Sequence, residues 1–164
     1  MKRILACTFC VAFALLAAPA TGMTPYISPG AAPHVDEEQV ECLALAIYWE
    51  ARGESLMDRL AVAHVAVNRT LDPQFPDDVC SVVKQGGERP LGQCQFSWWC
   101  DGRDDTPQEA DAWRDAMALA ESALTGRSDD PTGGAVYFHH MRVHPKWAAH
   151  KSRTGRFGPH IFYR

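Results

Sequence analysis

The segment Cys42-Leu-Ala-Leu-Ala-Ile-Tyr-Trp-Glu-Ala-Arg-Gly-Glu54 limits the folds open to this chain more than any other, because it is an apolar helical run that carries a carboxylate into its last turn. Val40, Leu43, Ala44 and Ile47 recur at helical spacing, and at about 100° per residue Glu50 falls within roughly 60° of the stripe they define. The acid therefore points towards the core. A carboxyl beside Ile47, Tyr48 and Trp49 loses hydration, which penalises its charged form and raises its pKa above the usual ~4.3. That prepares a general acid for work near neutral pH. The plainer reading is an ion pair, since acids near helix ends often make one. Arg52 is close in sequence but about 160° away around a continuing helix, so a pairing partner has to come from elsewhere.

What precedes this helix reads as targeting sequence. Met1-Lys2-Arg3 is basic, Ile4 to Ala17 is almost wholly apolar, and Ala18-Pro19-Ala20 has a small-x-small pattern. Residues 1–20 are expected to be a secretory signal peptide cut after Ala20. The apolar stretch is shorter than the ~18 residues of a membrane span, so no stable membrane anchor is expected after cleavage. Cys7 and Cys10 lie too early to be the lipid-modified residue of a lipoprotein. Residues 21–35, with Pro25, Pro29, Gly30 and Pro33, read as a flexible leader. Residues 36–164 then form one domain with room for a sizeable core.

The chain carries 16 Lys and Arg against 20 Asp and Glu, a formal charge of −4. A non-specific nucleic-acid binder would be more basic, so no nucleic-acid partner is expected. Cys42, Cys80, Cys94 and Cys100 remain after signal removal, and an even number in an exported chain argues for disulfides. Of three possible pairings we favour Cys94–Cys100, which closes a short loop, and Cys42–Cys80, which fastens the Glu50 helix to a later one. No C-x-x-C pair supports a zinc site.

Asp36 can cap the first helix with Gln39 completing a capping box, and Gly53 is the expected stop. Ser55 with Asp58 starts a second helix through Leu60–Val67, apolar almost all round and so central, with His64 a core or boundary histidine. Pro73 and Pro76 break it. Asp77 or Asp78 opens a short third helix that Gly86-Gly87 ends. Cys94–Cys100 reads as an aromatic loop or extended piece. Thr106-Pro-Gln-Glu109 is a helix start with Thr as cap and Pro at the first position, and that helix should run to Leu124 and stop at Gly126. Asp130 to His139 reads as a turn feeding a strand, a loop rich in His, Lys and Arg follows, and His160–Tyr163 is a second candidate strand. The fold class is α+β, mainly helical, with two or three short strands in the C-terminal half.

Ala-Ile-Tyr-Trp-Glu-Ala-Arg-Gly-Glu, Val-Ala-Val-Asn-Arg, Phe-Pro-Asp, Cys-Gln-Phe-Ser-Trp, Asp-Pro-Thr-Gly-Gly-Ala-Val-Tyr-Phe and His-Ile-Phe-Tyr, in this order from residue 40 to the end, resemble the SleB/CwlJ cell wall hydrolase family. The resemblance implies a lysozyme-like, lytic-transglycosylase-like domain that cleaves the glycan strands of peptidoglycan. By position its catalytic glutamate is Glu50. Glu54 matches the motif's second acid, a possible second catalytic group or a residue that holds the turn. The paired cysteines and Trp98-Trp99 depart from the spore-enzyme pattern.

Glycosidic cleavage needs a proton on the leaving oxygen, which Glu50 with a raised pKa is suited to give. What the resemblance implies beyond that step is a single-acid route, in which Glu50 also activates the sugar's own 6-hydroxyl to give a 1,6-anhydro product, and we prefer it over muramidase-type hydrolysis. The candidate substrate contacts are Tyr48, Gln95, Phe96, Ser97, Trp98, Tyr137 and Tyr163. Rings stack on apolar sugar faces, while Gln95 and Ser97 hydrogen-bond hydroxyl or acetamido groups. Trp99 leans the same way, whereas Phe96 and Phe138 suit the core equally well. Two rivals stand beside this reading. One is a zinc-dependent wall peptidase or amidase built on His139, His140, His144 and His150 with Asp129 and Asp130, although His-Glu-x-x-His is absent. The other is a non-catalytic peptidoglycan-binding module. No metal or other cofactor is expected, and the protein is expected to be an exported, wall-associated monomer in the periplasm or outside the cell.

Overall fold

The computed structural model describes residues 35–87 and 94–164. The expected signal peptide, and the leader apart from Val35, lie outside the described residues. Val35 itself packs against the core, so the domain's packing begins at least one residue before Asp36. Four helices come first: α1 (Glu37–Ala51), α2 (Leu56–Thr70), α3 (Val79–Val83) and α4 (Ala110–Leu124). A 3₁₀ turn, Ser97–Cys100, lies between α3 and α4, and a second, Lys146–His150, lies between the first two strands. The strands β1 (Tyr137–His140), β2 (Arg153–Phe157) and β3 (His160–Tyr163) form one antiparallel sheet in the order β1-β3-β2. No described helix is long and apolar enough to cross a membrane.

Capping follows the sequence in part. The Asp36 carboxylate accepts from the Glu38 N–H, Ser55 from Asp58 and Asp78 from Ser81. Gln39 does not close a capping box; its Oε1 accepts from the Cys80 N–H and so ties α1 to α3. α4 starts at Ala110, later than the Thr106 cap predicts. The buried Tyr48 hydroxyl accepts from the N–H groups of Gln108 and Glu109, which holds that stretch extended as far as Glu109, the N-cap position, whose side chain makes no capping bond. At its other end Gly126 adopts φ +68°, a left-handed stop that only glycine takes freely.

α1 is packed on three sides by α2, α3 and α4, and its residues Leu43, Ala44, Ala46, Ile47 and Tyr48 are fully buried. Hence the helix is apolar nearly all round rather than along one stripe. The Cys42–Cys80 disulfide fastens α1 to α3, and Cys94–Cys100 staples the aromatic turn. A second cluster, Ala51, Ala61, Val62, Val65, Ala135 and Phe162, joins α2 to the sheet, and Phe138 packs against both clusters. Glu50 lies where these two clusters meet.

Candidate active site

α1 delivers Glu50 to a cleft of about 580 Å³ whose opposite wall is made by the sheet and the loop after β1. Glu50, Arg69, Gln95, Ser97, Tyr137 and His160 line it, with His139, Trp147 and Lys151 towards the rim strands. Among the described residues that line the cleft, Glu50 is the only carboxylate, and it makes no ion pair or hydrogen bond with any described residue. Arg52 pairs with Glu109 at 3.6 Å instead, its guanidinium covering Tyr48 and Trp49. Loss of hydration raises the Glu50 pKa, and the charges of His160 and Arg69 oppose that rise in part.

Two buried groups support the acid. Arg69 is 3% exposed, donates from Nε to the Val136 carbonyl at 2.8 Å and lies over the rings of Phe75 and Phe96. Its Nη1 has no hydrogen-bond partner among the described residues, and burial lowers its pKa to about 10. His160 donates from Nδ1 to the Asp58 carboxylate, 3.1 and 3.2 Å from its two oxygens, which leaves Nε2 as the ring's other polar edge. Asp58 is fully buried and belongs to the first turn of α2. At Gly158, φ +51°, a β-carbon would lie 2.9 Å from Asp58 Oδ2, so glycine is required for the β2–β3 turn to close over this pair.

The predicted substrate contacts divide. Gln95, Ser97 and Tyr137 line the cleft. Tyr48 is two residues from Glu50, so its side chain leaves the helix about 160° away, and it is wholly buried against Trp49 and Trp113. Phe96 (0% exposed) and Trp98 (7%) are core residues. Burial alternates along Gln95–Trp98, with Phe96 extended ahead of the 3₁₀ turn, so Gln95 and Ser97 face out where Phe96 and Trp98 face in. Trp99 packs partly buried against the helical cluster, with Lys84 over its ring. Tyr163 is buried too; its ring stacks on His139 and its hydroxyl donates to His139 Nε2, while His139 Nδ1 donates to the His140 carbonyl. Glu54 is exposed outside the cleft, near Gly158.

The histidine and aspartate set of the metal reading does not converge. Asp130 accepts from Asn68, Thr132 and Gly134 to build the turn before β1, both ring nitrogens of His139 are used, and no three potential metal ligands meet among the described residues. His64 bonds Ser128 Oγ and is a satisfied boundary histidine. Sequence reading missed Arg69, His160, Asp58, Trp147 and Lys151 as parts of the site. Arg69 and His160 stood in quoted motifs, and an arginine ending an otherwise apolar helix was the available signal. The Asp58–His160 pair spans 102 residues and left none.

The structure is thus a helical domain that presents one helix-borne carboxyl, unpaired among the described residues, to a cleft closed by a small antiparallel sheet. The family model for Cell Wall Hydrolase matches residues 53–163, and the chain belongs to that family. It is 34% identical over 128 residues to a spore cortex-lytic enzyme of Halalkalibacterium halodurans, covering 77% of this chain and 34% of that protein, and 32% identical over 124 residues to the one of Bacillus subtilis, covering 75% and 36%. The chain thus spans about a third of the length of these relatives. The fold is that of the catalytic domain of Bacillus cereus SleB, with TM-score 0.62 and 27% identity over 80% of this chain and 94% of that one. The catalytic domain of the germination-specific lytic transglycosylase SleB from Bacillus anthracis matches equally, at TM-score 0.62 and 26% identity, covering 80% of this chain and 98% of that one.

Proposed function

We propose that this domain cleaves the glycan strands of peptidoglycan, with Glu50 as its acid and base. The observation that carries the reading is a carboxyl in a cleft of about 580 Å³, its pKa raised by burial and its oxygens unpaired among the described residues. Protonated Glu50 gives its proton to the glycosidic oxygen as the C1–O bond breaks and the sugar takes on oxocarbenium character. The Glu50 carboxylate so formed is stabilised by the positive groups beside it, Arg69 and, when protonated, His160. It then takes the proton of the sugar's 6-hydroxyl as that oxygen closes on C1, which restores the acid and leaves a 1,6-anhydro end. The absence of a second carboxylate among the described cleft residues favours this route over hydrolysis, which usually employs a partner acid.

Tyr137 and Trp147, 5.6 Å apart by ring centroid, offer apolar faces to the sugar, and Gln95 and Ser97 offer polar edges. The basic, apolar start of the chain and its two disulfides support export to an oxidising wall compartment.

The test is Glu50→Gln with mass spectrometry of the products from purified peptidoglycan. The variant should lose cleavage by at least ~10²-fold while still binding the wall, and the wild-type products should end in 1,6-anhydro sugars. Reducing ends would replace the intramolecular route by hydrolysis. Wild-type turnover by the variant would remove Glu50 from the chemistry altogether.

A further inference from the structure

The cations of this domain are divided in a way the fold does not require. Residues 131–164 contain six Lys and Arg and no Asp or Glu. The remainder of the chain therefore holds ten cations against all twenty acids. The pairing follows the same division. Of the described cations before Pro131, Arg52, Arg59, Lys84, Arg103, Arg114 and Arg127 each have a carboxylate within 4.0 Å, and Arg69 is the buried exception. None of Arg142, Lys146, Lys151, Arg153, Arg156 and Arg164 has one among the described residues. All but the half-buried Lys151 are exposed.

Each exposed ion pair adds little stability, but pairing cancels the field that a lone charge projects into solvent. Unpaired like charges on one face repel one another, and folding gains nothing from gathering them there. The gathering is placed with respect to the cleft. Lys151 lines it, with Nζ 4.0 Å from the Tyr137 ring centroid, and Val143 and Trp147 of the same loop line it too. β2 continues the cations from Lys151 to Arg153 and Arg156, and Arg156 Nη2 reaches back to Met141 Sδ at 3.4 Å, beside Arg142.

We propose that the loop 141–151 and β2 form a docking face for the carboxylates of the peptidoglycan strand whose glycan enters the cleft. This rests on the reading of the cleft as a glycan site. At every second sugar such a strand carries either the carboxylates of a peptide stem or, where no stem is attached, the free lactyl carboxylate, so a strand seated in the cleft brings negative charge past Lys151. The surplus of unpaired cations in residues 131–164, beside a cleft whose lining they share through Lys151, draws an anionic strand towards that part of the surface before contact.

The test uses the Glu50→Gln protein, so that binding is read without turnover, and adds Arg142→Gln, Lys146→Gln and Arg153→Gln together. None of these three side chains lines the cleft. Cosedimentation with purified peptidoglycan at low salt should show Kd rising on the order of tenfold, and the difference should fade at high salt, where surface charges are screened. Wall material whose carboxyls have been capped as neutral amides should bind the parent as weakly as the triple variant, and the Lys-for-Arg versions at 142 and 153 should restore binding. Equal binding by parent and triple variant, or indifference to amidation, would overturn the proposal. So would a loss seen only on anionic phospholipid vesicles or on phosphate-bearing wall polymers. Cleavage by the Glu50→Gln protein alone would instead remove the catalytic reading and leave these binding results standing.

Discussion

Glu50 couples stability to pH in a direction opposite to that of an ordinary surface acid. Its folded pKa lies above 4.5 because burial disfavours the carboxylate more than His160 and Arg69 favour it. The folded state thus holds a proton that the unfolded chain releases, and stability falls as pH rises from the unfolded value through the folded one. Glu50→Gln should therefore be more stable than the parent near neutral pH and match it below pH ~4, where both side chains are neutral. Urea unfolding across that range is the check, and a variant less stable at neutral pH would reveal an ion pair. Asp58, unlike Glu50, has a partner among the described residues. It is fully buried with His160, itself 5% exposed, so Asp58→Ala strands a buried imidazole N–H and should cost ~3–5 kcal/mol. A loss under ~1 kcal/mol would mean that water or another acceptor takes the place of Asp58.

At the scale of elements, what placed α1 correctly was its own pattern, whereas α4 was misplaced because its start is set from α1. Thr106-Pro-Gln-Glu carries local capping signals, yet the Tyr48 hydroxyl accepts from Gln108 and Glu109 at 3.0 and 3.2 Å and delays the helix to Ala110. Tyr48→Phe keeps the ring in its place between Trp49 and Trp113 and removes only this acceptor. It should lower stability by ~1–3 kcal/mol through two partly buried N–H groups left unpaired. Hydrogen exchange should quicken at Gln108 and Glu109 before it does so within α1. Uniform quickening would show that the bond does not organise this junction. The aromatic turn carries the same lesson. Its composition suggested a groove wall, but side chains alternate in burial along it, Phe96 and Trp98 in the core and Gln95 and Ser97 in the cleft.

Across the whole molecule, helices and their stops were legible because caps and apolar spacing act within a few residues. The cleft was legible only through Glu50, Gln95, Ser97 and Tyr137, since the groups that tune the acid arrive from α2 and β3 across long stretches of chain. Arg69 is the residue that joins these parts. It binds the Val136 carbonyl ahead of β1, covers Phe75 and Phe96, and places its charge towards Glu50. Arg69→Met keeps an apolar side chain between the two rings and removes the charge and the Nε donor. Stability should fall by ~1–3 kcal/mol, because the buried Val136 carbonyl loses its partner. The effect on the reaction has its own sign. Arg69 favours the Glu50 carboxylate, so without it the Glu50 pKa rises further. The acid must begin protonated, hence the alkaline limb of kcat against pH should move to higher pH in Arg69→Met, even as the rate at the optimum drops because the carboxylate formed by proton transfer is less well stabilised. A merely structural arginine would lower the amount of folded enzyme and leave the limb where it was. A limb that moved to lower pH would contradict the sign assigned to that charge, which favours the Glu50 carboxylate.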